Sequence, residues 1–218
     1  MNAGARYYGA LTLPLYDAAV LKIAVPYAWE VPLEEERAMY RRCLGRRHLD
    51  IGVATGWFLR ETLENEDGGE GGDREITLMD LNEKATRYAA DKLSRFDVRR
   101  VQGDAREPFP VDGPFDSIAM FHLLHCIPDT VTEKAVAFDH AAAVLAEGGV
   151  CFGASVTPKG QHLNPFAKAV LAASNATGAL NNRNDSHEDL RAEIERRFRT
   201  TEIRLVGTMT LWEARNPR

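Results

Sequence analysis

The sequence predicts an α/β protein with a doubly wound, mostly parallel sheet, and three observations support this fold class. Short apolar runs alternate with helical patterns between residues 46 and 156, and such alternation requires a parallel sheet covered on both faces. Gly207 alone separates the last two strand-like runs, 199–206 and 208–212, so these two strands can only be antiparallel. The composition, with 44% hydrophobic and 27% charged residues, is typical of a globular chain.

The individual elements follow from local patterns. Strands are predicted at residues 46–51, 75–79, 98–102, 115–121 and 150–156, where short runs are rich in apolar residues. Helices are predicted over residues 16–24, 57–64, 82–95, 130–146, 162–174 and 186–197. Their expected N-caps are Asn82, Thr130 or Thr132, and Ser186. Gly148 and Gly149 are expected to end the helix over residues 130–146. The acidic, glycine-rich segment 64–73 is predicted to be a solvated loop.

Charge and cysteine content exclude several classes of function. The net charge is −5, which argues against a general nucleic-acid binder. Three scattered cysteines do not form a disulfide framework and favour a reducing cytoplasm. The sequence has no apolar run near the ~20 residues of a membrane span and no signal-peptide pattern at residue 1. We therefore expect a cytoplasmic protein without nucleic-acid or membrane partners.

The loop after the first strand combines small residues in a pattern that suits a nucleoside ligand. Gly52, Ala54 and Gly56 let the backbone turn sharply and approach a ligand closely. A dinucleotide loop needs a small residue at position 57 instead, and Trp57 stands there. A tight turn without a ligand remains an alternative for this loop.

Acidic residues stand at the ends of three successive strands. They are Asp50, Asp80 and Asp104, and ligands of doubly wound sheets bind at this edge. The Asp80 carboxylate can accept two hydrogen bonds from a ribose, although it could also cap the next helix. Asp104 could equally be a turn residue, since it follows Gly103.

These residues together resemble the class I S-adenosylmethionine-dependent methyltransferases, and the runs HLDIGVATGWFL and LLHC are similar to those of small members that act on small molecules. The resemblance implies a seven-stranded Rossmann-like sheet of order 3-2-1-4-5-7-6, with the last strand antiparallel. It departs from the family at Ala54, where glycine is usual. It implies cofactor contacts from Asp50, Gly52, Ala54, Gly56, Asp80, Leu81, Asp104, Ala105 and Phe121.

The resemblance also implies that the chain forms one methyltransferase domain with four parts. We expect an N-terminal helical cap that acts as a lid at 1–45, a cofactor-binding core at 46–156, a helical insert at 157–198 and a closing hairpin at 199–218. The oligomeric state is left open between a monomer and a homodimer.

Two histidines follow the fourth strand, where the family borders the methyl acceptor. His122 or His125 could take the proton of the acceptor near neutral pH. The sequence does not say which one faces the site, and a structural role for His125 is an equal alternative. A metal site is not predicted, because no second pair of ligands has suitable spacing.

Candidate acceptor-binding residues lie outside the core. Tyr16 and Trp29 could stack on the acceptor from the lid, and Asn164 and Arg183 could bind a polar acceptor. Each has a structural alternative. The aromatic residues could simply cover the apolar rim of the sheet, and the polar ones could belong to a solvated loop.

The sequence and its family resemblance therefore predict a methyltransferase that uses S-adenosyl-L-methionine to modify a small molecule in secondary-metabolite biosynthesis. O-methylation is favoured over N- or C-methylation. The alternatives are a non-methylating, cyclase-like enzyme with the same cofactor, a nicotinamide-dependent oxidoreductase, and a non-catalytic interaction protein.

Overall fold

A seven-stranded sheet forms the centre of the computed structural model, which describes residues 20–66 and 73–218. Its strands are β1 (Arg47–Ile51), β2 (Glu75–Asp80), β3 (Asp97–Gln102), β4 (Phe115–Phe121), β5 (Leu145–Val156), β6 (Phe198–Val206) and β7 (Met209–Pro217). The helices are α1 (Val20–Ala28, with wide π-type turns), α2 (Leu33–Cys43), α3 (Trp57–Glu66), α4 (Glu83–Lys92), α5 (Val131–Lys134), α6 (Val136–Val144), α7 (Pro165–Thr177) and α8 (His187–Arg197).

The strand order confirms the predicted fold class. Neighbouring strands run in the order β3-β2-β1-β4-β5-β7-β6. Strands β1 to β5 are parallel, and β7 pairs antiparallel with both β5 and β6. The chain leaves β1 for β2 on one side and reaches β4 on the other, so the topological switch point lies between β1 and β4. Ligands of such sheets bind at that point, beyond the carboxyl ends of the strands.

Most helix starts lie where the capping residues predict them. The side chain of Asn82 accepts from the backbone N–H of Lys84, that of Ser186 accepts from Asp189, and Thr130 with Glu133 forms a capping box. Of the two threonines considered, Thr130 is therefore the cap. Satisfying the first backbone N–H groups in this way fixes where a helix begins.

Several predicted boundaries were wrong: the first helix ends at Ala28 rather than Ala24, and the last strand ends at Pro217 rather than Trp212. Two further differences have a clear cause. The helix expected to reach Ala146 ends at Val144, and β5 begins at Leu145, since Leu145 already pairs with Phe115 of β4. The helix expected from His162 begins at Pro165, because the Asn164 side chain caps it by accepting from the Ala167 N–H. Tertiary pairing in the first case and capping in the second outweighed the local apolar pattern.

Apolar side chains cover both faces of the sheet. One buried cluster joins α1, α2 and α3 to the sheet and includes Val25, Met39 and Leu59. The other joins α6 and α8 to the opposite face and includes Phe138 and Ile194. Within the described ranges, no helix is long and apolar enough to span a membrane.

Candidate functional site

An open cavity lies at the carboxyl ends of β1 and β4. Six of the residues predicted to bind a ligand or to act in catalysis line it, namely Asp50, Gly52, Ala54, Gly56, Phe121 and His122. The remaining wall includes aromatic side chains from two helices, Tyr40 of α2 and Trp57 and Phe58 of α3. The cavity therefore occupies the topological switch point of the sheet, as the sequence predicts.

The loop after β1 takes a backbone shape that few residues adopt. Gly52, Ala54 and Gly56 have φ angles of 71°, 48° and 68°, in the left-handed region that favours glycine. A Cβ atom on Gly52 would lie 2.7 Å from Cδ1 of Leu123. The loop therefore turns tightly beside the cavity, with no room for a side chain at Gly52.

A buried chain of hydrogen bonds ends at Asp50. The Gly45 N–H donates to Ser117 Oγ at 2.8 Å, and Ser117 Oγ lies 2.8 Å from Nδ1 of His48. The Tyr40 hydroxyl lies 3.1 Å from Nε2 of His48 and donates to Oδ2 of Asp50 at 2.7 Å. Since the Tyr40 hydroxyl donates to Asp50, it accepts from Nε2–H of His48, and the Ser117 hydroxyl donates to Nδ1.

Burial sets the charges along this chain. It lowers the pKa of His48 to about 3, which keeps the imidazole neutral. Burial also raises the pKa of Asp50 to about 7, although the Tyr40 hydrogen bond opposes the rise and the Asp80 charge adds to it. Asp50 is therefore a carboxyl group that changes charge near neutral pH beside the cavity.

Asp80 is tied to the turn at the end of β2. Its Oδ1 accepts from the Asn82 N–H at 2.8 Å, and its Oδ2 accepts from the Ala54 N–H at 3.4 Å. Burial raises its pKa. The adjacent Leu81 side chain is exposed. Asp80 thus links the glycine-rich loop to the end of β2, while its role toward a ribose stays a prediction.

Asp104 already has a partner within its own turn. Oδ2 accepts from Nη2 of Arg106 at 2.7 Å, and Oδ1 accepts from the Arg106 backbone N–H at 3.0 Å. The hydrogen bonds from Arg106 hold the pKa of the Asp104 carboxyl below its usual range. The neighbouring Ala105 is buried. The cofactor contacts predicted for Asp104 and Ala105 stay predictions as well.

The structure distinguishes the two histidines. His122 lines the cavity, has a φ of 55°, and its Nε2 lies 2.8 Å from Oε1 of Glu36. His125 is buried, and its Nδ1 accepts from the Val156 N–H at 3.1 Å. Burial lowers the pKa of His125, with smaller effects from His122 and Lys134 in the same direction. His122 is the histidine placed to meet a ligand, and His125 holds the loop to the end of β5.

Of the predicted acceptor-binding residues, the three that the structure describes do not line the cavity. Trp29 is buried in the core, and its carbonyl accepts from the Thr208 N–H. Asn164 caps α7 and also donates to the Tyr27 carbonyl and to Glu30. Arg183 is exposed in the loop before α8, and Tyr16 lies outside the described residues. For Trp29, the structural alternative of covering the sheet fits the observed contacts.

Glu36 and Tyr40 contribute to the site although the sequence did not single them out as site residues. Both are buried, and they lie four positions apart on α2, so they share one face of the helix. Glu36 belongs to the run EEER, which is typical of a solvated face. Its spacing from Tyr40, together with apolar Met39 and Cys43, is the one local signal that could have marked it as buried.

Comparison with known proteins agrees with this geometry. A model of the methyltransferase domain matches residues 49–149. The chain is 36% identical to a demethylluteothin O-methyltransferase of Streptomyces thioluteus over 93% of its own length and 86% of that protein. It is 33% identical to an N-methyltransferase of Penicillium aethiopicum over 82% of its own length and 73% of that protein. The N-methyltransferase NodS of Bradyrhizobium japonicum, solved with S-adenosyl-L-homocysteine, has the same fold, with a TM-score of 0.60 at 18% identity over 85% of this chain and 88% of that protein.

Proposed function

Because this chain belongs to the class I S-adenosylmethionine-dependent methyltransferases, we propose that it methylates a hydroxyl group of a small molecule in secondary metabolism. The single observation that carries the choice of a hydroxyl is His122, an imidazole at the cavity wall. A hydroxyl must lose its proton during methyl transfer, whereas a carboxylate arrives without one. The demethylluteothin O-methyltransferase, named for its action on oxygen, supports the same choice.

The residues around the cavity fit a nucleoside cofactor that carries positive charge. Gly52, Ala54 and Gly56 line the cavity in a tight turn, which lets the backbone approach a ligand closely. Asp50 provides a carboxyl group at the cavity, which attracts positive charge when it is ionised. When bound, S-adenosyl-L-methionine supplies the activated methyl group.

The chain's own contribution is alignment and proton removal. Gly52, Ala54, Gly56 and Asp50 would hold the cofactor at the ends of β1 and β4, and Asp80 and Asp104 would contribute from the ends of β2 and β3. Fixing two reactants in line can supply several kcal/mol of the barrier, on the order of 7 or more in favourable cases. His122 takes the proton of the acceptor, a step that typically adds ~10²–10⁴-fold.

N-methylation is the second candidate, since the relative from Penicillium aethiopicum is named an N-methyltransferase. Three acceptors that share one ring system distinguish O-methylation from N-methylation: 2-naphthol, 2-naphthylamine and 2-naphthoic acid. Demethylluteothin serves as a fourth probe. Each is incubated with S-adenosyl-L-methionine, and the methylated product is measured by mass spectrometry. We expect turnover of demethylluteothin or 2-naphthol; methylation of the amine or of the acid alone would contradict the proposal.

The role of His122 is tested with the hydroxyl acceptor that is turned over. His122→Ala should lower kcat about 10²-fold or more and leave the Kd for S-adenosyl-L-homocysteine within a factor of a few. His125→Ala is the comparison, because the structure ties His125 to Val156. A full rate in His122→Ala would contradict proton removal by His122 and leave alignment of acceptor and cofactor as the mechanism.

A further inference from the structure

Glu36 reaches the cavity histidine from a helix that precedes the sheet in sequence. Its side chain is fully buried, and Oε1 lies 2.8 Å from Nε2 of His122, across 86 positions of sequence. We propose that Glu36 is a positioning residue that holds the proton of neutral His122 on Nε2, which leaves the Nδ1 lone pair to take the acceptor's proton. The proposal rests on the proposed function in that it assigns His122 the role of base.

Three contacts besides Glu36 restrict the His122 ring. Phe58 stacks against it at 6.0 Å between ring centroids, with 20° between the planes. His125 meets it edge-on at 5.6 Å. The His122 backbone N–H donates to the Ala154 carbonyl at 2.9 Å, and the φ of 55° turns the residue at the end of β4. With the ring plane fixed, the Glu36 hydrogen bond decides which nitrogen carries the proton, because a carboxylate can only accept.

The second oxygen of Glu36 argues against a purely structural ion pair. Oε2 is buried and has no hydrogen-bond partner among residues 20–66 and 73–218, whereas buried polar atoms are nearly always paired. The buried pair of Lys134 and Asp185 differs, since Lys134 Nζ also donates to the Asn181 carbonyl. Within the part of the chain that the structure describes, the Glu36 carboxylate thus leaves one oxygen unpaired and directs the other to the cavity histidine. Functional sites commonly retain such a costly arrangement.

The same contact stabilises the state that follows proton transfer. The acceptor oxygen gains the methyl group, the electron pair of the broken carbon–sulfur bond stays on sulfur, and the acceptor's proton ends on Nδ1 of His122. The imidazole then carries a positive charge and donates from Nε2 to the Glu36 carboxylate. A carboxylate at hydrogen-bond distance favours that charged form.

The first test needs no acceptor. Protein labelled with ¹⁵N-histidine is studied by two-bond ¹⁵N–¹H NMR, with His122→Ala to assign the His122 signals. Neutral His122 of the unchanged chain should carry its proton on Nε2. Glu36→Gln should give a mixture of tautomers, because an amide can donate to Nε2 as well as accept from it, and Glu36→Leu removes the acceptor. Glu35→Gln is the matched control, because it replaces the same side chain in the same way one position earlier on α2. Glu35 pairs with Arg204 and not with His122.

Two results of that test would overturn the proposal: an Nδ1-protonated His122 in the unchanged chain, or unchanged His122 signals in both Glu36 variants. An altered signal in either one supports it. The Kd for S-adenosyl-L-homocysteine confirms that each variant keeps its fold.

The second test asks whether the tautomer matters for the rate. With a hydroxyl acceptor, Glu36→Gln and Glu36→Leu should lower kcat at least tenfold while the acceptor KM stays within threefold, and Glu35→Gln should match the unchanged chain. A full kcat together with an altered tautomer would overturn the positioning role. Failure of the proposed function looks different, because His122→Ala would then keep the full rate as well.

Discussion

At the residue scale, backbone conformation shapes the loop after β1 more than side-chain chemistry does. Gly52, Ala54 and Gly56 all have positive φ angles, and an alanine in this region costs roughly 1–2 kcal/mol relative to a relaxed conformation. Ala54 shows that the loop tolerates one methyl group at its middle position. The surrounding contacts decide where a further side chain is forbidden.

Gly52→Val should abolish cofactor binding. The new Cβ would lie 2.7 Å from Leu123 Cδ1 in a backbone conformation that a branched residue strongly disfavours. Calorimetry with S-adenosyl-L-homocysteine measures the Kd, and circular dichroism checks the fold. Ala54→Gly is the companion variant, which should bind with equal or slightly lower Kd because glycine adopts a φ of 48° without strain. Normal binding by Gly52→Val would mean that the loop is only a structural turn.

Asp50 should make stability depend on pH. Its pKa is raised to about 7 from 3.8, so between these values the folded chain keeps a proton that the unfolded chain has lost. Its contribution to the free energy of unfolding therefore falls as pH rises from about 4 to 7. Asp50→Asn cannot ionise, so its stability relative to the unchanged chain should rise by at least about 1.4 kcal/mol between pH 4.5 and pH 8. Urea unfolding at both pH values measures this difference, and an equal difference at both would refute the assignment.

At the element scale, α2 connects two strand ends through one helix face. Glu36 reaches His122 after β4, and Tyr40 reaches His48 and Asp50 in β1. Residues four positions apart lie one turn from each other on a helix. A single helix thus sets both the histidine and the carboxyl group that face the cavity.

Tyr40→Phe should destabilise the protein by about 2 kcal/mol or more, because it leaves buried polar atoms of His48 and Asp50 without a partner at ~1–3 kcal/mol each. Tyr88→Phe is the matched control, since Tyr88 is only partly buried on α4. Urea unfolding at one pH compares the two. Equal stability of both variants would show that the Tyr40 hydroxyl contributes no net free energy.

At the scale of the whole molecule, a buried ion pair joins segments that are far apart in sequence. Lys134, at the end of α5, lies with its Nζ 2.7 Å from Oδ2 of Asp185, before α8, and both side chains are at most 5% exposed. Burial raises the pKa of Asp185 even though Lys134 opposes the rise. The pair therefore fixes the α5 segment, which follows the His122 loop, to the C-terminal part of the chain.

Lys134→Met should lower the free energy of unfolding by about 3–5 kcal/mol, because it leaves the Asp185 carboxylate buried and unpaired. The double variant with Asp185→Leu should recover part of that loss. Lys159→Met is the control, since its ion pair with Asp189 is more than half exposed and should contribute less than about 1 kcal/mol. If the double variant is less stable than the single one, the pair is not the main source of the loss.

The sequence by itself determined the fold class, most element positions and the loop that lines the cavity. These features depend on local patterns: apolar periodicity for β4, capping by Asn82 and Ser186, and small residues at 52, 54 and 56. The strand order also followed from the family resemblance, and the structure confirms it. Local patterns are visible in sequence because they act between residues a few positions apart.

Only the tertiary structure decided which histidine faces the cavity and what holds it. His122 and His125 are three positions apart and chemically alike, and they differ in whether Glu36 or the Val156 N–H meets their rings. Glu36 stands in a charged run that is typical of solvated helices, yet it is buried because α2 packs against the sheet. A contact across 86 positions leaves no local signal in the sequence, since its free energy arises only when the fold brings the two segments together.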